Sequence, residues 1–304
     1  MRLGNYQFTC RLAEEAILPA FKGSTLRGGL GHALKKTVCA LRRRQCSDCL
    51  LVASCAYAFI WEGGDDPGRR PLPYLLIPPD DSRRSWRAGE YFNFNLILLG
   101  RANDYLPHLI YAVKEMGDSG LGKKSLSSGR FDLEKITLGE EVIWEGDTLQ
   151  SPARLPDLVL QPAPAAVIPE LRLVCLSPVR LKYANHLIGD LPFHLLIRAA
   201  MRRISSLEAA HGQGEPPLDY RGLAARAADV GIREADCRWL EFERYSNRQK
   251  SGMLLGGVQG TIRYQGDNLA DFLPLLRYCE VVGLGKQTTF GLGRIKVELP
   301  EATE

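Results

Sequence analysis

LRLVCLSPVRLKYANHLIGDLPFHLLIRAAMRRISSLEAA (171–210) decides the architecture. Residues 171–182 are strand-like. From 193 to 210 the apolar period changes: Phe193, Leu196, Ile197, Ala200, Ile204 and Leu207 recur at helical spacing. His194, Arg198 and Arg202 share the other side of that helix at four-residue spacing. Downstream the pattern predicts a short helix (220–230), strands at 237–246 and 254–264, a helix at 268–279 and a final strand at 290–299. The order strand–helix–strand–strand–helix–strand fits a ferredoxin-like (RRM-like) sandwich, an antiparallel sheet with helices on one face.

Toward the N-terminus, SPARLPDLVLQPAPAAVIPE (151–170) holds five prolines. Proline removes backbone donors and restricts its neighbours, so this stretch reads as a linker. The half before it carries a related pattern. Residues 3–13 read as a strand, and Ser24 is placed to cap a helix running to about Cys39. Strand-like runs follow at 57–61 and 90–99, then a helix at about 104–116 and shorter strands at 130–144. The expected fold is α+β, with two tandem ferredoxin-like domains. The first covers 1–150 and carries a cysteine-rich insert at about 39–57. The linker is 151–170, and the second domain covers 171–304.

A chain of 304 residues with 45% apolar side chains can bury two cores, which argues against disorder. No apolar run reaches membrane-spanning length, and MRLGNYQFTCRL lacks the apolar block of a signal peptide. A cytoplasmic protein is expected. Eight cysteines in such a chain argue against a disulfide scaffold. Cys39, Cys46, Cys49 and Cys55, spaced C-x6-C-x2-C-x5-C, suit a tetrahedral zinc site or an iron–sulfur cluster. The alternative is a set of free, partly buried thiols. Cys10, Cys175, Cys237 and Cys279 sit in apolar runs and read as core.

Net charge is only +4, but it is unevenly spread. Seven basic residues and no acid lie between Ala16 and Ser47. Five basic residues and one acid, Asp190, lie between Ser177 and Arg203. Clustered cations without local anions suit a polyanionic partner. GLGKQTTFGLG (283–293) adds four glycines around Lys286, a turn whose backbone a phosphate chain could approach closely. The plainer alternative is a turn that only packs. The first helix divides similarly. Leu26, Leu30, Ala33, Leu34 and Thr37 lie opposite Gly28, His32, Lys35 and Lys36. Gly28, Gly29 and Gly31 each weaken it by roughly 1 kcal/mol relative to alanine. Tight packing or a close ligand must offset that cost.

Four stretches then carry a resemblance. Beside the glycine loop they are FKGSTLRGGLGHAL (21–34), SPVRLKYANHLIGDLPFHLLIRAAMRRISSL (177–207) and RYSNRQKSGMLLGGVQGTIRY (244–264). Together they resemble the CRISPR repeat-RNA-processing endoribonuclease of the RAMP superfamily, in its bacterial form. CSDCLLVASCAY (46–57) is similar to a cysteine-rich segment of such members. The resemblance is strongest from about residue 170 onward and over 21–57, and weak over 62–165.

The resemblance implies two ferredoxin-like domains that bind CRISPR repeat RNA and cut the precursor once per repeat. It implies metal-independent attack of a ribose 2′-hydroxyl on the adjacent phosphate. No cofactor serves catalysis; a structural zinc, or alternatively an iron–sulfur cluster, would occupy the cysteines. Partners would be the repeat RNA and subunits of a CRISPR effector complex, with no membrane, and the protein a monomer or homodimer. Histidine suits acid–base work near neutral pH and cations stabilise phosphate charge. His32 is therefore the first candidate, with Lys35 and Lys36 beside it. His186 is the runner-up, and His194 suits phosphate binding. Expected RNA contacts are Arg27, Arg198, Arg202, Arg203, Tyr245, Arg248 and Lys250, with Gly283, Gly285, Lys286, Gly291 and Gly293 of the loop. The alternative function is a non-catalytic RAMP subunit that binds guide RNA; a third is a metal-stabilised protein-interaction module.

Overall fold

The computed structural model describes residues 1–300 apart from 42–44, 65, 67, 69, 123–126, 151–153 and 247–250; at 244–246 and 251–253 it describes the backbone alone. The chain divides into two compact units: Met1–Asp157 with Ala210–Gly212, and Leu158–Ala209 with Gln213–Glu304. The break falls within the proline-rich 151–170. Part of that stretch is tied to the first unit, where the Leu3 amide donates to the Pro156 carbonyl at 2.9 Å.

The first unit contains β1 (Leu3–Leu12), β2 (Ala16–Ile17), α1 (Gly23–Val38), β3 (Tyr74–Ile77), β4 (Ser85–Trp86) and β5 (Tyr91–Leu99). It continues with α2 (Leu106–Ser119), β6 (Phe131–Leu138), β7 (Glu141–Glu145) and β8 (Thr148–Leu149). Its main sheet has the order β3-β5-β1-β6-β7-β8, and every pairing is antiparallel. Alternation along β1 sends Tyr6, Phe8, Cys10 and Leu12 to one face. There they join Leu26, Leu30 and Leu34 of α1 and Leu109, Val113 and Met116 of α2 in one core.

The second unit contains β9 (Glu170–Val179), β10 (Lys182–Tyr183), β11 (His186–Leu187), α3 (Phe193–His211, all but its last two residues) and α4 (Tyr220–Arg226). It ends with β12 (Gly231–Ser246), β13 (Ser251–Gln265), α5 (Leu273–Val282) and β14 (Ile295–Glu298). The sheet order is β12-β13-β9-β14, again antiparallel throughout. In both units the first strand is central, flanked by the strands before and after the last helix. That is the ferredoxin-like arrangement. Among the described residues no helix is long and apolar enough to cross a membrane.

Three local expectations fail. Ser24 does not cap α1, whose N-cap is Lys22; the Ser24 hydroxyl is buried with no partner among the described residues. Buried Lys22 fixes this corner instead, donating to the Asp81 carboxylate at 2.9 Å. The run at 57–61 is not a strand but leads into a π-helical turn, Ala58–Glu62. A short, continuously apolar run has no period to separate strand from helix. Here the turn stacks Trp61 on Tyr74, ring centres 4.7 Å apart. The missing strand is β3, too short and Pro-flanked to stand out. Finally, β14 begins only at Ile295, because residues 288–290 form a 3-10 turn.

Candidate functional site

In the second unit the glycine loop follows α5 and is folded back on the end of β9. The Lys286 amide donates to the Arg180 carbonyl and the Gly293 amide to the Pro178 carbonyl, at 2.9 and 3.0 Å. Leu284 and Leu292 are buried beneath it. Gly285 and Gly293 have positive φ of 87° and 76°. A Cβ at Gly285 would sit 2.6 Å from the Arg180 carbonyl oxygen, and one at Gly293 would collide with the Leu284 carbonyl. These two glycines serve the turn's own packing; Gly283 and Gly291 are buried as well. Lys286 is exposed at the tip. Next to it Gln287, which is not glycine, adopts the left-handed conformation at φ 66°, and its side-chain oxygen is buried without a partner among the described residues. That conformation costs roughly 1–2 kcal/mol for an L-residue.

α3 carries the arginines in two directions. Arg198 and Arg202 are exposed. Arg203 turns inward, where it donates to the Val282 carbonyl at 2.9 Å and the Thr288 hydroxyl at 3.0 Å. Burial lowers its guanidinium to about 10. The expectation that Arg203 faces RNA is therefore corrected: it braces α3 against the end of α5 and the glycine loop. The adjacent numbers hid this, because successive helical residues point about 100° apart. Arg180, not singled out from sequence, has the same bracing character, donating to the Gly256 carbonyl at 2.9 Å. His186 is exposed on the β10–β11 hairpin, whose turn places Ala184 and Asn185 at positive φ. His194 is half-buried in the first turn of α3.

In the first unit α1 answers the question posed by its glycines. A Cβ at Gly29 would lie 2.9 Å from the Met116 sulfur, and one at Gly31 would collide with the Trp61 indole. Both allow close packing. Gly28 has nothing among the described residues within 4 Å of that position. One turn further on the same side, His32 is exposed and has no hydrogen-bond partner among the described residues. Lys35 lies over the Tyr57 ring at 5.4 Å, and Lys36 pairs with Glu115 of α2 at 2.5 Å. Arg27 packs over Trp61 at 5.1 Å.

Among the described residues no three His, Cys, Asp or Glu side chains form a metal-holding group. Cys39, Cys46, Cys49 and Cys55 are all half-buried. Burial pushes the Cys46 thiol up, and the neighbouring Cys55 and Cys39 act in the same direction against Lys35. Arg248 and Lys250 lie outside the described residues. Tyr245 is described by its backbone alone, paired with Gly252.

Residues 1–155 match a family of N-terminal domains described as AF_1859_N, and residues 173–295 match the family described as CRISPR-associated endoribonuclease Cas6. An uncharacterized protein of Archaeoglobus fulgidus is 27% identical over 291 residues, 92% of each chain. Among solved structures, a chain of a partial Cas6-RT-Cas1–Cas2 complex is similar with TM-score 0.61 and 17% identity, over 100% of this chain and 47% of that one. The present chain thus spans about half the length of that relative. A Thermus thermophilus Cas6 is similar with TM-score 0.58 and 12% identity, over 98% of both chains. A Cas6 product complex gives 0.59 and 12%, over 97% and 100%. At these identities the solved structures establish the shared fold.

Proposed function

The chain belongs to the CRISPR-associated endoribonuclease Cas6 family through residues 173–295, with an N-terminal half of the AF_1859_N family, and on that premise we propose that it binds CRISPR repeat RNA and cuts the precursor into guide RNAs. The observation that carries the RNA surface is the glycine loop's tip, where a strained Gln287 stands beside the exposed Lys286. Strain held at a surface turn points to function rather than packing. Lys286 would neutralise a phosphate there. Arg198 and Arg202, exposed on α3, would add phosphate contacts elsewhere along the RNA, because a guanidinium pairs with two oxygens.

The proposed chemistry needs no redox step. The ribose 2′-oxygen gives its proton to a base and forms a bond to the adjacent phosphorus. The bond from phosphorus to the 5′-oxygen breaks, and that oxygen takes a proton. The products are a 2′,3′-cyclic phosphate and a free 5′-hydroxyl. His32 is the proposed acid or base, since the open space at Gly28 lets a backbone come close to it. Lys35, over the Tyr57 ring, is the proposed source of positive charge; Lys36 is already partnered by Glu115. The test is purified protein with repeat RNA in EDTA. Site-specific cutting with cyclic-phosphate ends supports the proposal, and a His32→Ala variant that cuts at full rate removes His32 from it.

One observation favours a second reading, a non-catalytic subunit that binds guide RNA: no side chain among the described residues orients His32. Tight binding without products in the same assay would select it. We also propose a structural metal at Cys39, Cys46, Cys49 and Cys55, zinc before iron–sulfur, supported by their C-x6-C-x2-C-x5-C spacing. It would draw the four together and take no part in cutting. Stoichiometric metal by elemental analysis is the expected result. The proposed setting is the cytoplasm, with other CRISPR proteins as partners; the likeness to a chain of a Cas6-RT-Cas1–Cas2 complex supports such partners.

A further inference from the structure

In the second unit α3 and α4 flank an open groove of about 860 Å³. Its α3 wall is Arg198, Arg202, Ser205 and Ala209, one turn apart in succession; Tyr220 and Arg221 of α4 stand opposite. This stripe is not the one that holds Arg203, which faces Val282 and Thr288.

The charge here is uncompensated. Arg198, Arg202 and Arg221 are all exposed, and none has an ion-pair partner among the described residues. Several other exposed arginines of the same unit are neutralised: Arg172 by Glu298, Arg226 by Asp271 and Arg277 by Glu280, at 2.9, 3.0 and 2.9 Å. The acid on the groove's rim is Glu215, and its carboxylate accepts from the Tyr220 hydroxyl at 2.9 Å. The Ser205 and Tyr220 hydroxyls lie 2.6 Å apart, so the two walls are joined at this point. Ala224 and Ala225 line the α4 side and leave the groove wide.

We propose that this groove holds the phosphodiester backbone of single-stranded RNA lying outside the segment that is cut. The proposal rests on the RNA-binding reading above. Arg198 and Arg202 are separated by four helical residues, about 6 Å along the axis. That rise is comparable with the step between successive phosphates on a nucleic-acid strand. Each guanidinium can take two phosphate oxygens, and the serine hydroxyls can take more. Tyr220 supplies an aromatic face of the kind on which bases stack without regard to sequence. An open groove with three unpaired cations suits a chain of anions better than one small anion, which a closed pocket would hold.

The test uses the full chain with Arg221→Glu and, separately, Ala225→Glu, both exposed on α4. Two labelled RNAs are titrated: the repeat alone, and the repeat with an oligouridine extension on either end. In the wild-type chain one extension should tighten binding by about tenfold and steepen the salt dependence. Each variant should lose that gain and keep the wild-type affinity for the repeat alone. The proposal is overturned if neither extension helps the wild type, or if the variants weaken both RNAs equally. If the wild type ignores the repeat altogether, the proposed function falls separately, and oligouridine alone reads the groove. Weaker oligouridine binding by Arg221→Glu would then uphold it. Equal binding by variant and wild type, or tighter wild-type binding of a polyglutamate peptide, would sink it.

Discussion

Replacing Arg203 with methionine separates bracing of the glycine loop from contact with RNA. The change removes two bonds, to the Val282 carbonyl and the Thr288 hydroxyl. Hydrogen bonds to a charged group contribute about 1.5–3 kcal/mol each. Against that loss stands the cost of the charge. Burial lowers the guanidinium to about 10, a cost on the order of 3 kcal/mol at 1.36 kcal/mol per unit. Methionine fills much of the same space without that cost. The difference leaves about 0–3 kcal/mol of destabilisation, a few degrees in Tm. Urea unfolding measures it. Native-state hydrogen exchange should show faster exchange at the Leu284, Lys286 and Gly293 amides, which bond to Gly293, Arg180 and Pro178. RNA affinity should fall with loop protection, and Arg203→Lys, which keeps the charge without the fork, should fall between. Lost RNA affinity with unchanged loop protection would refute the bracing argument, because Arg203 would then reach the RNA itself.

Gly28→Ala should leave stability unchanged or raise it by up to about 1 kcal/mol, since that position is open. Gly31→Ala should destabilise the first unit through the Trp61 indole; thermal melts of the pair compare them directly. Gly28→Leu should weaken RNA binding with no loss in Tm. Lys286→Glu should lower RNA affinity and reduce the salt slope by about one or more, read from titrations at several salt concentrations. Lys36 holds the Glu115 carboxyl below its usual value. That pair therefore stabilises fully above the unfolded carboxylate pKa, and the contribution fades as pH falls through the lower folded value. Lys36→Met should shift the urea midpoint at neutral pH but not at about pH 2, below the usual carboxylate range.

The order of elements was legible because long periodic segments carry it. Phe193 to Leu207 read as a helix, and that helix lies between β9 and β12 as expected. What periodicity could not resolve were short apolar runs. Residues 57–61 look like a strand until Trp61 is seen stacked on Tyr74, a contact between residues that no local window joins. The site was legible as residue types but not as directions. Arg202 and Arg203 are indistinguishable in a charge run, yet one is exposed and the other bonded inside. The α1 glycines were marked as needing compensation. Only the partners Met116 and Trp61 reveal that two of the three are accounted for by packing.

The central position of the first strand in each sheet has a kinetic consequence. β1 pairs with β5 and β6, so Phe8 must find Phe94 and Ile136. β9 waits likewise for β13 and β14. Such non-local closure places both units among slow folders, in the millisecond-to-second range. The β12–β13 hairpin has neighbouring partners and can zip in about 1–10 μs. During refolding the hairpin should therefore gain protection early. β1 and β9, with both edges unpaired, would remain the segments most open to aggregation until their last strands arrive.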